Sequence, residues 1–97
     1  MFINLSDTQK KALLMIYQSA TPTVASRNIS SSNANVVAAV DQLKELNLLD
    51  EIEEGLIVSE IGLTAMEDEA IIDEFGEITD LGQSVLSEAN IDTRNFS

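Results

Sequence analysis

Apolar side chains recur at helical spacing in two segments of the first half of the chain. The first segment follows Ser6-Asp7-Thr8-Gln9, which has the form of a capping box, and its apolar stripe is Leu13, Ile16, Tyr17 and Ala20. Thr21-Pro22 predicts the end of this helix, because the residue before proline is pushed out of the α region. The second segment carries its stripe at Val36, Ala39, Val40, Leu43 and Leu46. We therefore expect two amphipathic helices, the second ending at about Leu46.

The residues between these two segments predict a shorter helix and a turn. Thr23 is placed to cap a helix over Val24 to Asn28, and Ile29-Ser30-Ser31 predicts a break after it. Either Ser31 or Ser32 then caps the longer helix. The first half of the chain is therefore expected to hold three helices, with a turn between the second and the third.

After Asn47 the spacing of apolar residues changes from the helical period of about 3.6 residues toward the strand period of 2. Leu48 to Glu53 and Leu56 to Ile61 are rich in leucine and β-branched residues. Glu54-Gly55 lies between them and predicts a short hairpin turn. Two strands joined this tightly form a two-stranded β-ribbon.

The segment after the ribbon predicts a short helix and a second turn. Thr64 begins another capping-box pattern, so we expect a helix from Ala65 to about Ile71. Asp73 to Glu77 predicts a turn with short extended flanks at Ile72 and Ile78. This turn leads into the last element of the chain.

Thr79 is placed to cap a last helix over Asp80 to Ala89, in which Leu81 and Val85 face inward. These elements together predict one domain over residues 1–90. Residues 91–97 are expected to form a flexible tail.

Two short stretches of the chain are weakly similar to each other. Gly62-Leu63-Thr64-Ala65-Met66 is one of them, and Glu77-Ile78-Thr79-Asp80-Leu81-Gly82 is the other. We interpret this similarity as a strand-to-helix junction with a threonine cap that is used twice.

Composition narrows the classes of function. The chain has 97 residues, of which 44% are hydrophobic, so one compact domain with one core is expected. It has no cysteine and no histidine, which excludes disulfides, Cys or His zinc sites, thiol nucleophiles and imidazole acid-base chemistry. The acids match no calcium-loop pattern, and no glycine-rich phosphate loop is present. We therefore expect no enzyme activity, no cofactor and no metal site.

The start of the chain bears on its location. Met1 to Asp7 lacks the basic and apolar regions of a secretory signal. No window approaches the roughly 18 to 20 apolar residues of a membrane span. The sequence therefore predicts a cytoplasmic protein without membrane contact.

Charge is distributed unevenly along the chain, which has a formal net charge of −12. Residues 8–40 contain three cations and no acid, whereas residues 41–97 carry 16 acids against two cations. The first stretch leaves one face on which a nucleic acid can dock. The second stretch is either a solvated face or a surface for a basic protein partner, with DNA mimicry as one form of the latter.

The order of these elements resembles that of a winged helix-turn-helix domain. Leu43 to Asp50 is similar to the junction by which MarR-like regulators leave the recognition helix and enter the wing, and Ile78-Thr79-Asp80-Leu81-Gly82 is similar to the start of their next helix. The resemblance covers roughly Leu5 to Ala89. Two departures are Asn47, where such regulators have glycine, and Glu53-Glu54-Gly55, where they carry Arg or Lys.

The resemblance implies an α+β fold with a three-helix core, a two-stranded β-ribbon wing and a C-terminal helix. It also implies sequence-specific binding of double-stranded DNA in transcriptional control, as in small phage or bacterial regulators. A homodimer is a further implication, for which the first and last helices are the candidates.

In a DNA complex, the helix after the turn would enter the major groove with its N-terminal residues at the base edges. The base-edge candidates are Ser31, Ser32, Asn33 and Asn35, and the phosphate contacts are Arg27, Lys10 and Lys11. An asparagine amide can meet adenine, and serine hydroxyls suit a phosphate oxygen. The same residues equally suit a structural role as helix caps. Asp41 and Glu45 lie farther along the helix and restrict DNA to an end-on approach.

The alternative function is that of a winged-helix adaptor that binds a protein through its acidic wing. Glu51, Glu53 and Glu54 would then face RNA polymerase, a sigma factor or a basic DNA-binding protein. The apolar side chains available to anchor such an interface are Met66, Ile71, Phe75 and Phe96, most of which we expect in the core.

Overall fold

The computed structural model of the protein describes residues 4–94, with the side chains of residues 4–87. The fold is α+β, with five helices in this range and a two-stranded antiparallel hairpin that follows the third helix. The elements are α1 (Asp7–Gln18), α2 (Pro22–Ser30), α3 (Ala34–Glu45), β1 (Leu49–Ile52), β2 (Gly55–Val58), α4 (Glu60–Asp68) and α5 (Asp80–Arg94).

The predicted capping box at the start of α1 is confirmed. The Ser6 hydroxyl accepts the backbone N–H of Gln9 at 3.1 Å, and the Gln9 side chain accepts the backbone N–H of Ser6 at 2.9 Å. The helix ends at Gln18, so Ala20 lies beyond it and is exposed instead of completing the apolar stripe. The backbone N–H groups of Ser6 and Gln9 therefore both have hydrogen-bond partners within the protein.

The second helix starts earlier than the sequence pattern suggests. Thr21, not Thr23, is its cap, and the Thr21 hydroxyl accepts the backbone N–H of Val24 at 3.1 Å. Pro22 occupies the first helical position, where its missing N–H would have no intrahelical partner in any case. The prediction that Thr21-Pro22 only terminates α1 is therefore incomplete, because the same pair also begins α2.

The turn between α2 and α3 is Ser31 to Asn33. The predicted break at Ile29-Ser30-Ser31 is displaced, because Ile29 and Ser30 are helical. Asn33 caps α3, and its side-chain oxygen accepts the backbone N–H of Val36 at 3.0 Å. The predicted cap at Ser31 or Ser32 is therefore wrong.

One apolar core joins all the elements. Its buried members come from all three N-terminal helices, the hairpin, α4 and the segment that follows α4, so the hairpin and the fourth helix pack on the three-helix unit. The largest of these side chains are Leu13, Leu14, Val36, Leu43, Leu48, Met66 and Ile71. Each of them removes an aliphatic side chain from water, which contributes about 1.5 to 3 kcal/mol per residue.

The hairpin is shorter than the predicted ribbon. Its register pairs Leu49 with Val58 and Ile52 with Gly55, which leaves Glu53-Glu54 as the turn in place of Glu54-Gly55. The second strand ends at Val58 because the Ser59 hydroxyl accepts the backbone N–H of Gly62 at 3.0 Å and begins α4. The predicted cap at Thr64 is wrong, since the Thr64 hydroxyl donates to the Glu60 carbonyl inside the helix.

Two junctions in the chain share a hydrogen-bond pattern: residues 47–62, from α3 through the hairpin to α4, and residues 70–82, from α4 to α5. Each begins with a left-handed residue, Asn47 or Ala70, whose carbonyl accepts the hydroxyl of the next helix cap. That cap is Ser59 in the first junction and Thr79 in the second, at 2.6 and 2.5 Å from the carbonyl. The interpretation of a threonine-capped junction used twice is therefore wrong for the first copy, in which Ser59 and not Thr64 is equivalent to Thr79.

Each junction also brings a helix against the preceding chain through a glycine. A Cβ at Gly62 would overlap the Leu48 carbonyl oxygen, and a Cβ at Gly82 would overlap the Ile71 carbonyl oxygen. Glycine at these positions therefore permits a close approach of backbone to backbone.

The second junction confirms the predicted turn with extended flanks, because Ile72 and Ile78 form an isolated antiparallel bridge. Thr79 caps α5 as predicted, accepting the backbone N–H of Gly82 at 3.2 Å. Val85 is buried as predicted, whereas Leu81 is half exposed instead of facing inward.

The last helix continues to Arg94, into the segment for which a tail is predicted, and residues 95–97 lie outside the described part. Between residues 4 and 94, none of the helices combines the length and the apolar character needed to cross a membrane.

Candidate nucleic-acid interface

The sequence-predicted DNA site lies at the corner formed by α2, the turn Ser31 to Asn33 and α3. Buried Ala25 and Ile29 on α2 and buried Val36 and Val40 on α3 face the core and fix the two helices. The opposite side of the corner faces solvent, and Asn35, the second residue of α3, is exposed there. The helix start is therefore accessible to a large ligand.

The two serine hydroxyls at this corner are already engaged as donors. The Ser31 hydroxyl donates to the Arg27 carbonyl at 3.0 Å, and the Ser32 hydroxyl donates to the Asn28 carbonyl at 2.8 Å. A serine has one hydroxyl proton, and phosphate oxygens accept only, so neither hydroxyl is free to donate to a phosphate. Each retains lone pairs that can accept a hydrogen bond from a base amino group.

The side chains of Asn33 and Asn35 have different roles. The Asn33 side-chain oxygen is committed to the α3 N-terminus, as described above, which is the structural role considered for it. Within residues 4–87, the Asn35 amide makes no hydrogen bond, and its side chain is exposed. Asn35 is therefore the base-edge candidate whose amide is fully available.

The predicted phosphate contacts are not equivalent. The Lys10 ammonium lies 3.1 Å from a carboxylate oxygen of Glu69, at the C-terminal end of α4, and both side chains are about one-fifth exposed. This ion pair ties α1 to the end of α4 and engages the Lys10 ammonium with a carboxylate. No acid among the described side chains pairs with Arg27, which is exposed in the last turn of α2, or with half-buried Lys11.

Carboxylates begin in the third turn of α3. Asp41 is exposed seven residues after Ala34, which corresponds to about 10 Å along the helix axis. Lys44 lies between Asp41 and Glu51, at 3.7 and 3.4 Å from their oxygens, and partly offsets both charges. Glu45 is exposed in the last turn. The first two turns of α3 are thus free of acids, as the sequence indicates.

The hairpin turn is attached to the start of α2. The Thr23 hydroxyl donates to the Glu54 carbonyl at 3.0 Å, and β2 packs against α2. The side chains of Glu51, Glu53 and Glu54 all point to solvent. The three residues of the alternative protein-binding site therefore share one hairpin that is held against the helical unit.

A shallow groove of about 230 Å³ runs between the end of α1 and β2. Its lining is mostly apolar and includes Tyr17, Pro22, Leu56 and Leu63, without a charged side chain. Sites for drug-sized ligands are usually about 300 to 1,000 Å³. The groove is therefore smaller than a typical site for a drug-sized ligand.

Sequence reasoning missed one exposed feature. Of the four apolar side chains considered as interface anchors, Met66 and Ile71 are fully buried and Phe96 lies outside the described residues. Phe75 is 80% exposed and is the exception to the expectation that most of these side chains lie in the core. Its position between acids in a predicted turn was the available signal.

Comparisons of the chain with models of known protein families, with curated proteins and with solved structures found no match. Any function assigned to the chain therefore depends on the contacts and charges of its own residues.

Proposed function

We propose that the chain is a winged helix-turn-helix domain that binds double-stranded DNA sequence-specifically and acts in transcriptional control. The observation that carries this proposal is the charge of the α2–α3 corner. Residues 22–40 contain no carboxylate, although the chain as a whole carries a net charge of −12. A phosphate backbone is repelled less by an acid-free, exposed helix start than by the acid-rich segments that follow α3.

The order of elements agrees with the proposal. The helix α3 follows α2 after a three-residue turn and precedes an antiparallel hairpin, as a recognition helix precedes a wing. Its exposed Asn35 is one residue from the helix start, where side chains reach base edges when a helix enters the major groove end-on. An asparagine amide meets the N6 and N7 positions of adenine together.

The charges restrict how DNA is approached. Arg27 and Lys11 supply the phosphate contacts in the proposal, while Lys10 is assigned to its ion pair with Glu69. Asp41 restricts DNA to an end-on approach to the first turn of α3 in the proposal. Two cations neutralise few phosphates, so binding should depend weakly on salt, with a logarithmic slope of about −2 per protomer.

The proposal is tested by variants on the DNA duplex that the protein selects from a random library. Arg27→Ala and Asn35→Ala should each weaken binding about five- to tenfold, and Asn35→Ala should also relax the sequence preference at one position. Glu53→Ala is the control, for which we expect unchanged or tighter binding because an acid is removed. Loss of binding on replacing Glu53 and Glu54 with Lys, with Arg27→Ala silent, would contradict the proposal.

A second candidate function is that of a winged-helix adaptor for a basic protein such as RNA polymerase or a sigma factor. The observation that favours it is the acidic hairpin, in which exposed Glu51, Glu53 and Glu54 are held by the contact of Thr23 with the turn. A cluster of carboxylates on a hairpin whose backbone is held in place raises the association rate with a basic surface. The same variants separate the two functions, because the order of their effects should then invert.

A further inference from the structure

The turn of the second junction presents an aromatic side chain to solvent. Phe75 lies at its tip and is 80% exposed, more than any other large apolar side chain of residues 4–87. The next most exposed are Ile61 at 54% and Leu81 at 50%. A single exposed apolar side chain is common on a small domain, so a contact site is inferred from how Phe75 is held and from the charges around it.

This exposure does not come from a loose loop. The Asp73 carboxylate accepts the backbone N–H groups of Phe75 and Glu77, at 2.9 and 3.0 Å. Backbone bonds from Asp73 to Glu77 and from Gly76 to Asp73 close the turn, at 2.9 and 3.0 Å. Phe75 is therefore displayed on a backbone that is already ordered.

Contacts near its tip and at its base also hold the turn in place. The Tyr17 hydroxyl of α1 donates to the Gly76 carbonyl, one residue after Phe75. At the base, Ile72 and Ile78 pair across the turn, with Ile72 buried in the core. A partner that binds a preorganised aromatic side chain loses little free energy to ordering, which favours affinity.

The charge around Phe75 defines the partner. Glu74 and Glu77 are exposed on either side of it, and the chain has no Lys or Arg between Lys44 and Arg94. The hairpin of the first junction repeats this arrangement, with partly exposed Ile52 between Glu51 and Glu53. An acidic rim around an aromatic residue repels phosphates, which disfavours base stacking, and complements a surface rich in Lys and Arg.

We propose that the turn Asp73 to Glu77 is a docking site for a protein whose surface offers an apolar pocket for Phe75, bordered by Lys or Arg side chains. Aromatic residues in such pockets commonly dominate binding, and flanking charges accelerate and orient it. This site is separate from the α2–α3 corner and goes beyond DNA binding.

The first experiment places a photoreactive benzoylphenylalanine at position 75 of the full chain, in the cells that naturally make it. Position 61 carries the same group in a matched control, because Ile61 is the next most exposed apolar residue. We expect irradiation to link position 75, and not position 61, to one protein with a basic surface. No crosslink above the control, a crosslink within the chain or to a second copy, or a crosslink to nucleic acid would overturn the proposal.

The second experiment measures binding of the captured protein after its purification. Phe75→Ser should weaken binding at least tenfold, and the double variant Glu74→Gln/Glu77→Gln should weaken it about three- to tenfold with a smaller salt dependence. Ile61→Ser and Arg27→Ala should leave it unchanged, and Arg27→Ala separates this result from the fate of the DNA proposal. Unfolding curves of Phe75→Ser matching those of the native chain exclude a folding defect. Equal affinity of Phe75→Ser would overturn the proposal.

Discussion

Asn47 and Ala70 adopt the same left-handed backbone conformation, with φ of 65° and 60°, each directly after a helix. In both places the N–H of the following residue bonds back to a carbonyl of the last helical turn, from Leu48 to Leu43 and from Ile71 to Met66. Asparagine tolerates this conformation, whereas alanine is strained in it. The second junction therefore retains the geometry of the first with a less suitable residue.

The strain at Ala70 predicts a stabilising substitution. Ala70→Gly removes the Cβ clash of the left-handed conformation, and we expect the free energy of unfolding to rise by about 0.5 to 1 kcal/mol. Denaturant unfolding monitored by circular dichroism measures this change. Asn47→Ala is the reciprocal variant and should lose about 1 kcal/mol, because it places alanine in the same conformation. Destabilisation by Ala70→Gly would contradict the assignment of strain.

The close backbone approach at the junction glycines predicts that a methyl group is not tolerated there. Gly62→Ala and Gly82→Ala should each lower the free energy of unfolding by about 1 to 3 kcal/mol, although alanine favours helices. Ser84→Ala, at an exposed position of α5, serves as the control and should stay within about 0.5 kcal/mol. A Gly82→Ala protein as stable as this control would show that the Ile71 carbonyl has room to move.

The hydroxyl of Tyr17 predicts a coupling between α1 and the second junction. Tyr17→Phe keeps the ring and removes the hydrogen bond to the Gly76 carbonyl, which should cost about 0.5 to 1.5 kcal/mol of stability. Amide hydrogen exchange should accelerate at Gly76 and Glu77, the residues nearest the lost contact. Unchanged exchange in this turn would mean that the remaining hydrogen bonds of Asp73 hold it without Tyr17.

The ion pair of Lys10 with Glu69 predicts that the three cations of the first half behave differently. Lys10→Met should lower the free energy of unfolding by no more than about 1 kcal/mol, since the pair is partly exposed. It should change DNA affinity much less than Lys11→Met, which removes the same charge from the same helix. Fluorescence anisotropy with a labelled duplex compares the two variants. Equal losses of affinity in the two variants would show that Lys10 contributes to DNA binding as much as Lys11 does.

Local signals in the sequence were sufficient for the helices whose caps are unambiguous. The box of Ser6 and Gln9 fixed the start of α1, and Thr79 fixed the start of α5. Where several capping residues are adjacent, composition does not choose between them. Asn33 caps α3 although Ser31 and Ser32 are also suitable capping residues, and the two serine hydroxyls donate to carbonyls of α2 instead.

The start of α4 was predicted wrongly for a different reason. The apolar pattern continues through Val58 to Ile61, so a strand seemed to run past Ser59. The serine ends it because its hydroxyl accepts the backbone N–H of Gly62 and also donates to the carbonyl of Asn47. The second contact joins residues that are distant along the chain and is not visible in the local pattern. Ile61 is exposed as a result, although its residue type favours burial.

The charge of the candidate site could be predicted from the sequence, but the contacts of its side chains could not. The absence of acids from residues 8–40 is visible in the sequence and is the basis of the DNA proposal. The partner of Lys10 is not visible, because Glu69 is 59 residues away and only the packing of α4 on α1 brings it near. The exposure of Phe75 depends likewise on how α1 holds the second turn.

The salt dependence of DNA binding tests the proposed function most directly. A random duplex library is first selected at the lowest salt that keeps the protein in solution, and affinity for the selected duplex is then titrated with salt. We expect one enriched motif and a logarithmic slope of about −2 per protomer, reduced by about 1 in Arg27→Ala. No enriched motif, or a slope that Arg27→Ala leaves unchanged, would contradict DNA binding through the α2–α3 corner.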